Sequence, residues 1–142
     1  MSDRPAFSYW RLFVGADGVS RQQRVEMTDF ERKSIAPPAA PQWLAPAEHG
    51  VSGLVFTILP VGWTGEWHEN PKAQWIVPLS GSWFVESMDG VRVEMGPGEI
   101  SLGADQGCRA AGDKRGHRSG AVGEAPAVLM LVQFDEPPAR LG

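Results

Sequence analysis

The chain of 142 residues holds three histidines, His49, His68 and His117, and one cysteine, Cys108. The densest chemistry surrounds His68, in the run Glu66-Trp67-His68-Glu69-Asn70-Pro71-Lys72-Ala73-Gln74. On an extended strand alternate side chains share a face, so Glu66, His68 and Asn70 are expected to point one way and Trp63, Trp67 and Glu69 the other. A turn at Asn70-Pro71 then returns Gln74 beside His68. Four polar groups converging in a β-rich interior must bond one another, a metal or a ligand, because an unpaired buried polar group is costly. Glu66 would add an anion to the set and a group able to move protons. The bland alternative is that Asn70 and Gln74 simply satisfy each other and His68.

Other motifs are missing or broken. No G-x-x-x-x-G-K-[ST] and no G-x-G-x-x-G opening a helix occurs, so nucleotide phosphate binding has no support. His68-Glu69-Asn70-Pro71-Lys72 starts like a helical zinc motif, but its fifth residue is Lys and Pro71 forbids the helix. A lone cysteine excludes an intramolecular disulfide and any C-x-x-C site. Cys108 lies near Arg109, Lys114 and Arg115, which would lower its pKa; these residues with His117 and Arg118 form a basic patch, read as a solvated loop or as a lid for an anionic small molecule. His49 follows a Pro-rich stretch and is expected to be exposed.

The elements that must position these groups are strands. Trp10–Val14 and Val19–Met27 flank a Gly-Ala-Asp-Gly turn, and Thr28 to Glu31 has the spacing of a capping box for a short helical turn. Residues 36–46 carry Pro37, Pro38, Pro41 and Pro46 and read as an extended arm anchored by Trp43 and Leu44. From Val51 strand-and-turn units recur: 51–59, 63–69, 74–79, 82–88, 91–95, 99–102, 117–122 and 127–134, with Asp89-Gly90 as a hairpin turn and a polar loop over 104–116. This predicts an all-β fold of one domain, divided into N-terminal strands and Pro-rich arm (1–50), a barrel (51–135) and a frayed tail (136–142).

The spacing Gly62-x5-His68-x-Asn70-x3-Gln74-x6-Gly81 resembles the first motif of the cupin superfamily, G-x5-H-x-H-x(3,4)-E-x6-G, with Asn70 in a His position and Gln74 in the Glu position. Gly96-Pro97-Gly98-Glu99 is similar to the turn that opens the second cupin motif. The usual spacing from there lands on Arg109, whereas the nearest histidine is His117, in a Gly-His-Arg-Ser run similar to that of some small single-domain bacterial cupins. The resemblance implies a jelly-roll β-barrel of two antiparallel sheets. It further implies a divalent transition metal (Fe, Mn, Ni, Zn or Cu) held by His68, Gln74 and His117, with Asn70 as a fourth member. Both departures from the motif remove ligand strength, because an amide oxygen is a weaker donor than imidazole or carboxylate.

On that reading Glu66, His68 and His117 are the catalytic candidates. The chain is expected to be a metal-assisted lyase, isomerase or dioxygenase acting on a small anionic or carbonyl-bearing substrate, or else a binding or sensor cupin without turnover. Lys plus Arg is 13 and Asp plus Glu is 17, a formal charge of −4, which argues against a nucleic-acid partner. No apolar run approaches the ~20 residues of a membrane span, and no leader is apparent, so a cytoplasmic location is expected. Apolar residues fall on both faces of the 74–79 strand, so a second copy of the chain is expected to cover part of the outer face as a homodimer.

Overall fold

The computed structural model describes residues 4–141. It contains eleven strands: β1 (Phe7–Val14), β2 (Ser20–Met27), β3 (Glu31–Lys33), β4 (Gln42–Leu44), β5 (Val51–Leu59), β6 (Gln74–Ser80), β7 (Ser82–Ser87), β8 (Arg92–Met95), β9 (Ser101–Ala104), β10 (His117–Val122) and β11 (Ala127–Phe134). Six form one sheet in the order β2-β1-β9-β6-β11-β5, three form a second in the order β10-β7-β8, and β3 pairs with β4. The fold is all-β, a sandwich of a large and a small sheet.

Three details depart from the sequence expectation. The two main sheets do not join into a closed barrel, and the large sheet is not wholly antiparallel, since β1 runs parallel to β9. The N-terminal hairpin is therefore part of the large sheet. Residues 28–31 form no helical turn, because Glu31 opens β3. Residues 63–69 form no regular strand. They touch β10 through isolated bridges at Thr64–Gly120 and His68–His117, with Gly65 N–H bonded to the Ser119 carbonyl and Ala121 N–H to that of Trp63. Gly120 permits this approach, since a Cβ there would lie 2.7 Å from the Trp63 carbonyl oxygen.

Alternation sorts the strands into two cores. Leu12, Leu59, Ile76, Trp83, Val85, Val93, Met95, Ala127 and Leu129 pack between the sheets. Tyr9, Trp75, Leu102 and Phe134 pack on the other face of the large sheet with Val77, Val132 and Leu141. That outer layer is held by Glu48, which accepts the Trp75 indole N–H at 2.7 Å and pairs with Arg140 at 2.9 Å. The arm thus anchors through Glu48, whereas Trp43 is exposed. The tail is not frayed over its described residues, because Leu141 joins this core and Arg140 also reaches Asp29. Over β5 the cover stops, and Leu54, Phe56 and Ile58 stand about 60% exposed at 58%, 63% and 62%. Among the described residues no helix is long and apolar enough to cross a membrane.

Candidate functional site

His117 opens β10, and the irregular segment before β6 lays His68 directly against it. Their backbones exchange two hydrogen bonds at 2.9 Å, and the two imidazole centroids are 4.6 Å apart with planes tilted by 50°. Gly116 makes the approach possible. Its φ is +83°, and a Cβ there would collide with the His68 carbonyl.

Each ring is fixed through the same atom. His68 Nδ1 lies 2.8 Å from the Glu66 carbonyl oxygen, and His117 Nδ1 lies 2.7 Å from Asp105 Oδ2. A carbonyl only accepts, so Nδ1 of His68 carries the proton. The Asp105 carboxyl is raised by burial but lowered further by its hydrogen bonds from His117 and Asn70, and lies below the usual carboxylate value. It too is an acceptor, so His117 also donates from Nδ1. In the neutral form of either ring the Nε2 lone pair is then the free site.

Asp105 is wholly buried and accepts from His117 on β10 and from Asn70 in the segment before β6. Its Oδ1 accepts the Asn70 backbone N–H at 2.8 Å and the Asn70 side-chain amide at 2.9 Å. Asn70 Oδ1 in turn accepts from Gln74 Nε2 at 2.6 Å, and Gln74 Oε1 from Gln133 Nε2 at 3.0 Å. Three amides thus donate in sequence towards one carboxylate. Gly103 leaves room for it, since a Cβ there would sit 2.5 Å from Asn70 Nδ2.

The loop carrying Asp105 is tied to the segment before β6. Glu69 Oε2 accepts from the backbone of Gly107 and Cys108 and from Arg115, and the Asn70 carbonyl accepts from Gln106. Sequence reasoning passed over Asp105 and Gln133. The only signal for Asp105 was an acidic residue at the mouth of a strand, twelve positions before His117.

His68, His117, Asn70 and Gln74 converge on a cavity of about 160 Å³ between the sheets, walled by Leu12, Leu59, Ile76, Val85, Leu129 and Leu131. Trp63 lines it as well, contrary to strict alternation, because its segment is not a regular strand. Glu66 gives the site its carbonyl only. Its side chain lines a separate surface depression with Trp67, Asp113 and Arg118, so its carboxylate is not placed for catalysis in the cavity. Cys108 is buried and bonds the Asp105 carbonyl. Burial pushes its thiol pKa up, with the Asp105 and Glu69 charges adding to the rise, opposite to the expected effect of the basic loop. Arg115 and Arg118 are paired with Glu69 and Glu86, so the patch is not a free anionic-ligand lid. Arg109 is exposed. His49 is exposed on a wide depression of about 730 Å³, far in composition from the histidine pair and lined by the already paired Glu48 and Arg140.

The donor set can be tested against the expected metal. Each ring has its Nδ1 bonded to a carbonyl or a carboxylate, as metal-binding histidines do, which leaves Nε2 as the atom that would ligate. A third strong donor is missing: no group of three or more His, Cys, Asp or Glu suited to a metal occurs among the described residues. Both Asp105 oxygens are engaged, and the Asn70 and Gln74 oxygens already accept amide hydrogens. Two imidazoles with two committed amides do not fit a resident divalent ion, and Asn70 and Gln74 act as supports of the Asp105 network. No family model matches the chain, and no curated protein shows significant similarity to it.

Proposed function

We propose that the chain is a small-molecule enzyme on a cupin-like jelly roll, catalysing proton transfer on a small, uncharged, carbonyl-bearing substrate held between the sheets. The observation that carries the reading is the pair of imidazoles fixed through Nδ1, so that His117 Nε2 is a base backed by a buried carboxylate. The cavity walls contribute no Lys or Arg, which favours a carbonyl compound over an anion.

In the step envisaged, the bond between hydrogen and a carbon next to the carbonyl breaks, and its electron pair moves onto the carbonyl oxygen. The proton joins His117 Nε2, and the resulting imidazolium stands against Asp105, which keeps its own charge. Return of the proton to another carbon gives an isomerase; loss of a leaving group gives a lyase. His68, in contact with the His117 ring, is a second acceptor that relays the proton at the cavity mouth. Apolar walls limit competing water.

A second copy covering β5 suits the bare Leu54, Phe56 and Ile58, on a strand at the sheet's free edge. The test of the activity is exchange of α-hydrogens for deuterium in a panel of small cyclic ketones, followed by proton NMR in D2O. Acceleration over buffer that falls at least about 100-fold in His117→Ala supports the reading. Equal rates in both proteins would refute it.

A further inference from the structure

Two polar side chains deep in the cavity have no partner within the protein. Trp83 is 4% exposed and Ser101 1% exposed, both line the cavity, and neither Trp83 Nε1 nor Ser101 Oγ makes a hydrogen bond. They come from opposite sheets, Ser101 from β9 and Trp83 from β7. Buried polar groups are nearly always paired, so two orphans in one cavity require an account.

Register places them below the histidines. Gln74 pairs with Gly103, and Ile76 with Ser101, so Ser101 lies one inward position deeper than the amide chain, roughly 7 Å along the strands. On the small sheet His117 pairs with Ser87 and Ala121 with Trp83, which puts the Trp83 backbone two inward positions below His117. Between the two levels the walls are Leu, Ile and Val together with Thr57 and Ser119, the latter one inward position below His117 on β10.

We infer that Trp83 and Ser101 form a deep subsite for an uncharged hydrogen-bond acceptor, a ketone or ether oxygen, carried on a compact apolar body. An indole N–H only donates, and a hydroxyl can donate alongside it, so the pair matches the two lone pairs of one oxygen. A carboxylate is disfavoured there, because no cationic side chain lines the cavity to offset its desolvation. This inference rests on the reading of the cavity as a small-molecule site and adds the polarity of the buried end of its ligand. It does not need His117 to act as a base.

The experiment compares cyclohexanone with methylenecyclohexane, which has nearly the same shape but no acceptor oxygen. Binding is read from the indole N–H resonances in nitrogen–proton correlation spectra, with that of Trp83 identified by its loss in Trp83→Phe. The ketone should bind at least about tenfold tighter than the hydrocarbon and move the Trp83 indole resonance downfield. Trp83→Phe and Ser101→Ala should each erase most of that preference while the hydrocarbon binds as before, which also shows that the variants are folded. His117→Ala should keep the preference, so that failure of the deep subsite and failure of the proposed proton transfer give different results. Equal binding of the two probes, no binding of either at millimolar concentration, or an unchanged preference in Trp83→Phe would overturn the assignment.

Discussion

Asp105 Oδ2 stands 2.7 Å from His117 Nδ1, and the carboxylate that makes this contact is fully buried. The pair joins the mouth of β9 to the first residue of β10 across a loop of twelve positions. It sets which nitrogen of His117 is free, and it holds Asn70 through the other oxygen. Removing either member therefore affects both the fold and the chemistry.

Asp105→Ala leaves His117 Nδ1–H and two Asn70 donors unpaired in the interior. It should destabilise the protein by about 3 kcal/mol in urea unfolding. Asp105→Asn keeps an acceptor and should cost less, about 1–2 kcal/mol, while slowing ketone exchange as strongly as His117→Ala. Full exchange activity in Asp105→Asn would contradict the role given to the carboxylate.

The same carboxylate predicts the response to acid. Its folded-state pKa lies below the usual value near 3.8, so the stability it contributes is present above that value and is lost as pH falls through the folded value. Unfolding free energy should drop below about pH 4, and the drop should be shallower in Asp105→Asn. Parallel acid profiles of the two proteins would show that other carboxylates control the loss.

Much of both main sheets was readable from the sequence, and the reason is regularity. β5, β6, β7, β10 and β11 fall where alternation and turn residues place them, and His117 does begin a strand that meets His68. Alternation failed over 63–69, where Gly62, Gly65 and Pro71 break the strand, and so Trp63 and Glu66 were assigned to the wrong sides. Asp105 and Gln133 were invisible for another reason. Their partners lie 12 to 59 positions away, and no local pattern marks a long-range hydrogen bond. The parallel pairing of β1 with β9 joins segments almost ninety residues apart in sequence and left no local signal either.

Gly103 provides a test of the amide chain without touching a polar group. Gly103→Ala puts a Cβ against the Asn70 amide, and should cost about 2 kcal/mol and broaden the Asn70 and Gln74 side-chain resonances. A neutral effect on both would mean that the chain is looser than its distances.

Cys108 should be inert. Burial and its two acidic neighbours raise its thiol pKa, so alkylation at pH 8 should run at least about tenfold slower than for a free thiol, and Cys108→Ser should leave ketone exchange unchanged. Rapid labelling of the folded protein would contradict this placement.

The bare strip on β5 predicts association. Phe56→Lys with Ile58→Lys should convert a dimer to a monomer in light scattering at micromolar concentration, with unfolding changed by less than about 1 kcal/mol because both side chains are exposed. A wild-type chain that is already monomeric would leave the strip uncovered and contradict the assembly.

Both histidines are fixed as Nδ1–H tautomers with Nε2 free, and long-range proton–nitrogen NMR of the imidazoles at pH 8 tests this most directly. The expected spectra show a protonated Nδ1 and a bare Nε2 for His68 and His117. In Asp105→Asn only His117 should shift towards a mixture. Protonated Nε2 in either ring of the wild-type protein would contradict it, since that nitrogen could then take no proton from a substrate.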